Sequence, residues 1–148
     1  MRIALASDEP YPVHATVRRA LEDRGHTVVP FGAIASGHDE PWPDVAEAAA
    51  LAVASGACDE GVFFCWSGTG ISIAANKVAG VRAALCADPG AAAAARIWNH
   101  ANVLCLSNRT LSDDMAKELL AAWFDTAPGE RGAAGVAGLA AVDARHRR

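Results

Sequence analysis

Short apolar runs alternate with amphipathic stretches along most of the chain, and this alternation restricts the fold more than any other feature. Arg2–Ser7 reads as a first strand that ends at Asp8-Glu9-Pro10. Pro12–Arg24 reads as a helix, because Val13, Val17, Ala20 and Leu21 recur at helical spacing and Gly25 stops it. Thr27–Pro30 is a second strand, followed by a loop rich in Gly, His, Asp and Pro from Gly32 to Trp42. Asp44–Ser55 is an Ala-rich helix ended by Gly56. Gly61–Cys65 is a third strand, and its unbroken run Val62-Phe63-Phe64 suits a strand covered on both faces. After a turn at Ser67–Gly70, Ile71–Asn76 starts the next helix. Val81–Ala87 is a fourth strand, Pro89–Trp98 a helix with proline in its first turn, and Asn102–Leu106 a fifth strand. Ser112–Phe124 is a helix with Ser112 as N-cap and Asp113 and Asp114 in its first turn. A last helix is expected near Val136–Ala144.

Strands that alternate with helices imply parallel strands joined by crossovers. The expected fold is α/β, a Rossmann-like three-layer sandwich with a five-stranded parallel sheet and helices on both faces. The 148 residues suffice for a single domain with one core, and residues 128–148 read as a helical extension of it. A chain that is 52% hydrophobic and 20% charged is globular rather than disordered. Its net charge of -4 offers no general basis for binding nucleic acid or a membrane surface. The basic end, Arg145-His146-Arg147-Arg148, reads as a solvated terminus. Ile3-Ala4-Leu5-Ala6 is too short for a secretory core and runs at once into Asp8 and Glu9, and no apolar run approaches a membrane span. Cys58, Cys65, Cys86 and Cys105 show no metal-ligand spacing. Reduced thiols in a cytoplasmic protein are therefore expected.

Ligands of open α/β sheets bind beyond the carboxyl ends of the strands. That rule points to Asp8, Cys65–Gly70, Ala87-Asp88 and Ser107–Arg109. The most informative segment is Cys65-Trp66-Ser67-Gly68-Thr69-Gly70-Ile71-Ser72-Ile73-Ala74-Ala75-Asn76-Lys77. It sets a thiol at a strand end, then a Gly-containing turn, then a helix start whose unpaired N–H groups favour anions. A thiolate is one such anion, and an enediolate formed beside a carbonyl is another. A purely structural cysteine with turn glycines is the alternative on residue chemistry alone. The segment matches neither the Walker pattern nor G-x-G-x-x-G.

The run Cys65 followed by Gly70-Ile71-Ser72-Ile73-Ala74-Ala75-Asn76-Lys77 resembles the signature of the ribose-5-phosphate isomerase B / galactose-6-phosphate isomerase family. Ser7-Asp8, Gly80-Val81-Arg82-Ala83, Asn99-x-x-Asn102-Val103-Leu104 and Arg109 extend the likeness over Met1 to Phe124. The resemblance implies a metal-free, cofactor-free isomerase that moves a proton between C1 and C2 of an aldose through a cis-enediolate. It implies Cys65 as base, Ser67 as a hydroxyl supporting the thiol, and amides of Gly68, Thr69 and Gly70 at the intermediate. Asp8 and Asn99 fall on positions that contact sugar oxygens. Members are dimers, sometimes dimers of dimers, with both subunits contributing to each site.

Four positions depart from the family pattern. Glu9 and Trp98 stand where members carry His, the second of which is assigned to ring opening. His100, two residues on, reads either as a turn residue or as the replacement for that role. Trp42 stands where Tyr is usual and reads as packing or pocket wall. Arg109 and Arg131 match phosphate-binding arginines, but Gly135 replaces another. Losing a charge-assisted contact and adding Glu9 weakens a dianion site. The substrate is then a sugar phosphate held by other groups, or a sugar without phosphate or with it placed differently. An epimerase sharing the enediolate, and a sugar-binding homologue without turnover, are the competing functions.

Overall fold

The computed structural model describes residues 1–147; Arg148, the end of the basic terminus, lies outside them. The strands are β1 (Arg2–Ser7), β2 (Thr27–Gly32), β3 (Glu60–Cys65), β4 (Ala83–Leu85) and β5 (Val103–Ser107). They form one parallel sheet in the order β2-β1-β3-β5-β4. The helices are α1 (Val13–Asp23), α2 (Ala33–Ser36), α3 (Trp42–Ala54), α4 (Thr69–Ala75), α5 (Pro89–Asn99), α6 (Asp113–Phe124) and α7 (Ala133–His146).

Side-chain alternation along the strands divides the interior into two layers. Ile3, Leu5, Val62, Phe64, Leu104 and Leu106 face α1, α5 and α6, whose Val17, Leu21, Leu119 and Trp123 complete that core. Ala4, Ala6, Phe63, Cys65, Val103 and Cys105 face α3 and α4. Small residues meet on that second face: Ala46, Ala49 and Ala50 of α3 cover Ala4 and Ala6, so the helix lies close to the sheet, and Phe63 supplies the bulk. Beneath the sheet, at the amino end of β3, Glu60 is paired with Arg96 at 2.8 Å and accepts from Trp123 Nε1 at 2.7 Å. This ion pair ties β3 to α5 and α6.

Several boundaries differ from the sequence reading. The loop after β2 contains one helical turn, α2, closed by Gly37 with φ +80; four residues are too few to show a period. α3 starts at Trp42, two residues early, because Pro43 suits a first helical turn. α4 begins at Thr69, since Gly68 adopts φ +79 and serves as its N-cap. β4 is only three residues long: it lies at the sheet edge, and side-chain oxygens of Asn102 and Asn76 take the Arg82 and Ala83 N–H groups. A 3-10 turn at Glu130–Gly132 precedes α7, which starts earlier than Val136 because Ala133-Ala134-Gly135 carries no periodic signal. Among the described residues no helix is long and apolar enough to cross a membrane, and all four cysteines are free and buried.

Candidate active site

The chain winds one way from β1 to β2 and the other way from β1 to β3 and beyond. Such a reversal leaves a crevice at the carboxyl ends of the two central strands, where α/β proteins bind ligands. Asp8 and Cys65 stand there. Ser7 pairs with Phe64 in the β1–β3 ladder, so the next register position on each strand holds Asp8 and Cys65.

Asp8 is 8% exposed, and its Oδ1 has no hydrogen-bond partner. Burial holds its carboxyl above the ordinary range, with Glu9 and Asp39 pushing the same way. Cys65 is 5% exposed. Its carbonyl accepts from Gly68 N–H at 3.2 Å and Asn108 N–H at 3.0 Å. The Ser67 hydroxyl is engaged with that of Thr69 at 2.6 Å, and Thr69 N–H donates weakly to Ser67 Oγ at 3.4 Å. Of the three loop amides, Gly68 is therefore committed to the turn, and the Gly70 N–H has no partner among the described residues. The Trp42 ring lies over Gly70, 3.3 Å from where a Cβ would stand, and so walls the loop. Trp66, beside Cys65, carries the Arg109 guanidinium 4.5 Å above its ring. Burial pushes the thiols of Cys58 and Cys105 up, and that of Cys86 to about 11, so these three stay protonated at neutral pH.

The remaining candidates form a second group. Trp98 and Asn99 end α5, and His100 follows in the left-handed region with φ 46. His100 Nε2 donates to the Gly129 carbonyl at 2.7 Å, while its own carbonyl accepts from Arg82 Nε at 2.8 Å. Arg131 stacks on Trp98 at 5.1 Å. Helices of a parallel sheet run back against the strands, so α5 ends at the amino edge, just before β5 begins. The length of β5 separates this group from Cys65 by about 16 Å or more. One chain thus holds two groups of candidate residues facing opposite edges: Asp8, Glu9, Trp42, Cys65–Gly70 and Arg109 at one, Trp98, Asn99, His100 and Arg131 at the other, each at most half of one site.

Behind the first group lies a buried histidine that the sequence reading passed over, together with Ser7 and Asn108, which it placed at strand ends without a link between them. His14, Asn108 and Ser7 form a hydrogen-bonded run beneath the Asp8 loop. The available signal was His14 on the apolar stripe of α1, in step with Val17 and Leu21. A ring there is buried and must find polar partners.

A buried thiol, a carboxylate with one unpartnered oxygen and a glycine turn at the switch point of a parallel sheet could together move a proton beside a carbonyl. The chain is similar to known isomerases. Residues 3–138 match the family described as Ribose/Galactose Isomerase. The D-erythrulose-4-phosphate isomerase of Pectobacterium atrosepticum is 36% identical over 126 residues, 84% of this chain and 83% of that protein. Ribose-5-phosphate isomerase B of Escherichia coli is 41% identical over 104 residues, 70% of this chain and 69% of that one. The structure of ribose-5-phosphate isomerase B from Clostridium thermocellum superposes with a TM-score of 0.90 at 34% identity, covering 99% of both chains. Fold and relatives together define an aldose–ketose isomerase. The chain belongs to the ribose/galactose isomerase family.

Proposed function

We propose that the chain interconverts a sugar phosphate of four or five carbons with its ketose, using Cys65 as the base. The Cys65 thiolate takes the proton from C2 of the open aldose. The electron pair moves into the C1–C2 bond and the carbonyl oxygen becomes an enediolate oxygen. The thiol then returns the proton to C1 while the O2 hydroxyl proton passes to O1, which leaves the ketose. Nothing is consumed and no cofactor is required. The observation that supports this reading is the juxtaposition of Cys65 and Asp8 at adjoining strand ends, with the Gly70 N–H, unpartnered among the described residues, in the first turn of α4. Asp8, short of a partner at Oδ1, serves as acceptor for a sugar hydroxyl.

The second half-site, Asn99, His100 and Arg131, completes the pocket from another copy of the chain, so that the working unit is a homodimer. Two features support this. The half-sites face opposite edges of the sheet. α7 has no buried side chain and exposes Leu139 and Val142, and Leu139 lines a groove of about 680 Å³ together with Val136, Val78 and Val81. In the second half-site His100 opens cyclic sugars with Nδ1, the ring nitrogen the Gly129 carbonyl leaves free.

Complementation tests both statements. Cys65→Ala and Asn99→Ala, assayed with D-ribose 5-phosphate and D-erythrulose 4-phosphate, are each expected to be inactive. Random reassociation of the pair gives heterodimers with one intact site, hence up to about a quarter of wild-type activity. Turnover by Cys65→Ala alone refutes the base. Failure of the mixture to recover activity, with heterodimers present, refutes the shared site.

A further inference from the structure

The proton transfer leaves His14 without a part, although it lies directly behind the Asp8 loop. Its ring is 7% exposed and packs 4.7 Å from the ring of Phe64. Tyr11 N–H donates to Nδ1 at 3.3 Å, so the ring proton resides on Nε2, which donates to Asn108 Oδ1 at 2.7 Å. Asn108 Nδ2 in turn donates to Ser7 Oγ at 3.1 Å, and Ser7 Oγ donates to the Glu9 carbonyl at 2.7 Å. The run leads from Tyr11 N–H round to the Glu9 carbonyl, and the Ser7 hydroxyl, which accepts from Asn108 Nδ2 and weakly from Glu9 N–H at 3.4 Å, spends its one proton on that carbonyl. The run therefore closes the Asp8–Tyr11 loop on itself. It also reaches the base: the backbone N–H of Asn108 donates to the Cys65 carbonyl at 3.0 Å. Both ring nitrogens are in use, which leaves His14 neither proton nor lone pair for a substrate.

We propose that His14 is a positioning residue: as its Nε2–H tautomer it locks Asn108 and Ser7, and through them sets the spacing of Asp8 and Cys65. Its effect on turnover rests on the isomerase reading above; its effect on the loop does not. A glutamine can present an amide oxygen to Tyr11 N–H and an amide nitrogen to Asn108, so it can replace the ring. Asparagine is too short to span the gap, and leucine offers neither group.

The test compares His14→Gln, His14→Asn and His14→Leu in the full chain. The readouts are thermal midpoint, kcat and KM on D-ribose 5-phosphate and D-erythrulose 4-phosphate, and amide hydrogen exchange at Glu9, Tyr11 and Asn108. His14→Gln is expected to keep kcat within about threefold of wild type, and the other two to lose about ten- to a hundredfold, the scale of one buried hydrogen bond. Exchange at Glu9 and Tyr11 should rise in the same two variants only. A merely structural histidine would lower the midpoint in all three and leave kcat of the folded fraction unchanged. That result, or a His14→Gln variant as impaired as His14→Leu, overturns the proposal. If His14→Leu does not fold, the Gln and Asn variants give the same contrast. Turnover by Cys65→Ala would refute the isomerase mechanism alone, and the exchange contrast would still decide the lock. An inactive Cys65→Ala together with no exchange contrast refutes the lock alone.

Discussion

Gly68→Ala and Gly56→Ala form a matched pair, because both glycines have φ +79 and only one is packed. An L-residue in the left-handed region costs roughly 1–2 kcal/mol, and both variants should pay that. At Gly56 a Cβ meets nothing within 4 Å. At Gly68 it would lie 2.5 Å from Leu85 Cδ1 and 3.0 Å from the backbone carbon and oxygen of Leu106. Leu85 is 44% exposed and can swing aside; the β5 backbone cannot. Overpacking costs about 1–3 kcal/mol, and discounting the mobile leucine leaves about 1–2 kcal/mol specific to position 68.

That difference corresponds to a gap of about 2–8 °C between the two thermal midpoints for a chain of this size. Calorimetry on both variants measures it. The turn between Cys65 and α4 must also move off β5 to admit the methyl group, so Gly68→Ala is expected to lower kcat where Gly56→Ala does not. Equal midpoints and equal kcat would show that the turn does not rest on β5 as described, and the role given to its geometry would fall with it.

Removing one partner of the buried Glu60–Arg96 pair, as in Glu60→Gln or Arg96→Leu, should cost about 3–5 kcal/mol in denaturant unfolding, since it strands the other charge; a cost below about 1 kcal/mol would contradict the burial. Burial depresses the His14 ring below its ordinary value, so the unfolded chain binds a proton that the folded chain rejects, and stability should fall as pH drops below about 6.5. His26, lowered by burial and by the amino terminus, acts in the same direction, so His14→Gln should flatten the midpoint-versus-pH curve without abolishing its slope; an unchanged slope refutes the His14 share. His100→Ala should slow cyclic sugars far more than D-erythrulose 4-phosphate, which has no free hydroxyl with which to close a furanose ring; equal losses would remove His100 from ring opening. Glu9→His combined with Gly135→Arg should improve use of D-ribose 5-phosphate by about one to two powers of ten, chiefly through KM. A wild-type KM already in the micromolar range that Arg109→Ala destroys would show the phosphate site to be intact.

The central strands were legible because each carries its signal locally. β1 has the bounds its apolar run implied, and the unbroken Val62-Phe63-Phe64 belongs to a strand buried on both faces. Segments whose shape depends on distant partners were not. β4 is cut short by oxygens of Asn76 and Asn102, and α2 exists because Gly37 closes a turn too short to show a period. His14 meets Asn108 across 94 positions, and nothing local to either residue announces the other.

The division of the candidate site into two groups was implicit in the alternation of strands and helices. A crossover helix ends where the next strand begins, so residues at the end of α5 and at the end of β3 must face opposite edges of a parallel sheet. Family resemblance gathers Cys65 with Asn99 and His100 into one pocket built by two subunits, and topology holds them a strand length apart within one chain. The shared-site proposal rests on both, for a second copy can offer its amino-edge group to the carboxyl-edge group of the first. It also gives a use to α7, which follows the Arg131 turn with an apolar side and no core of its own to bury it in.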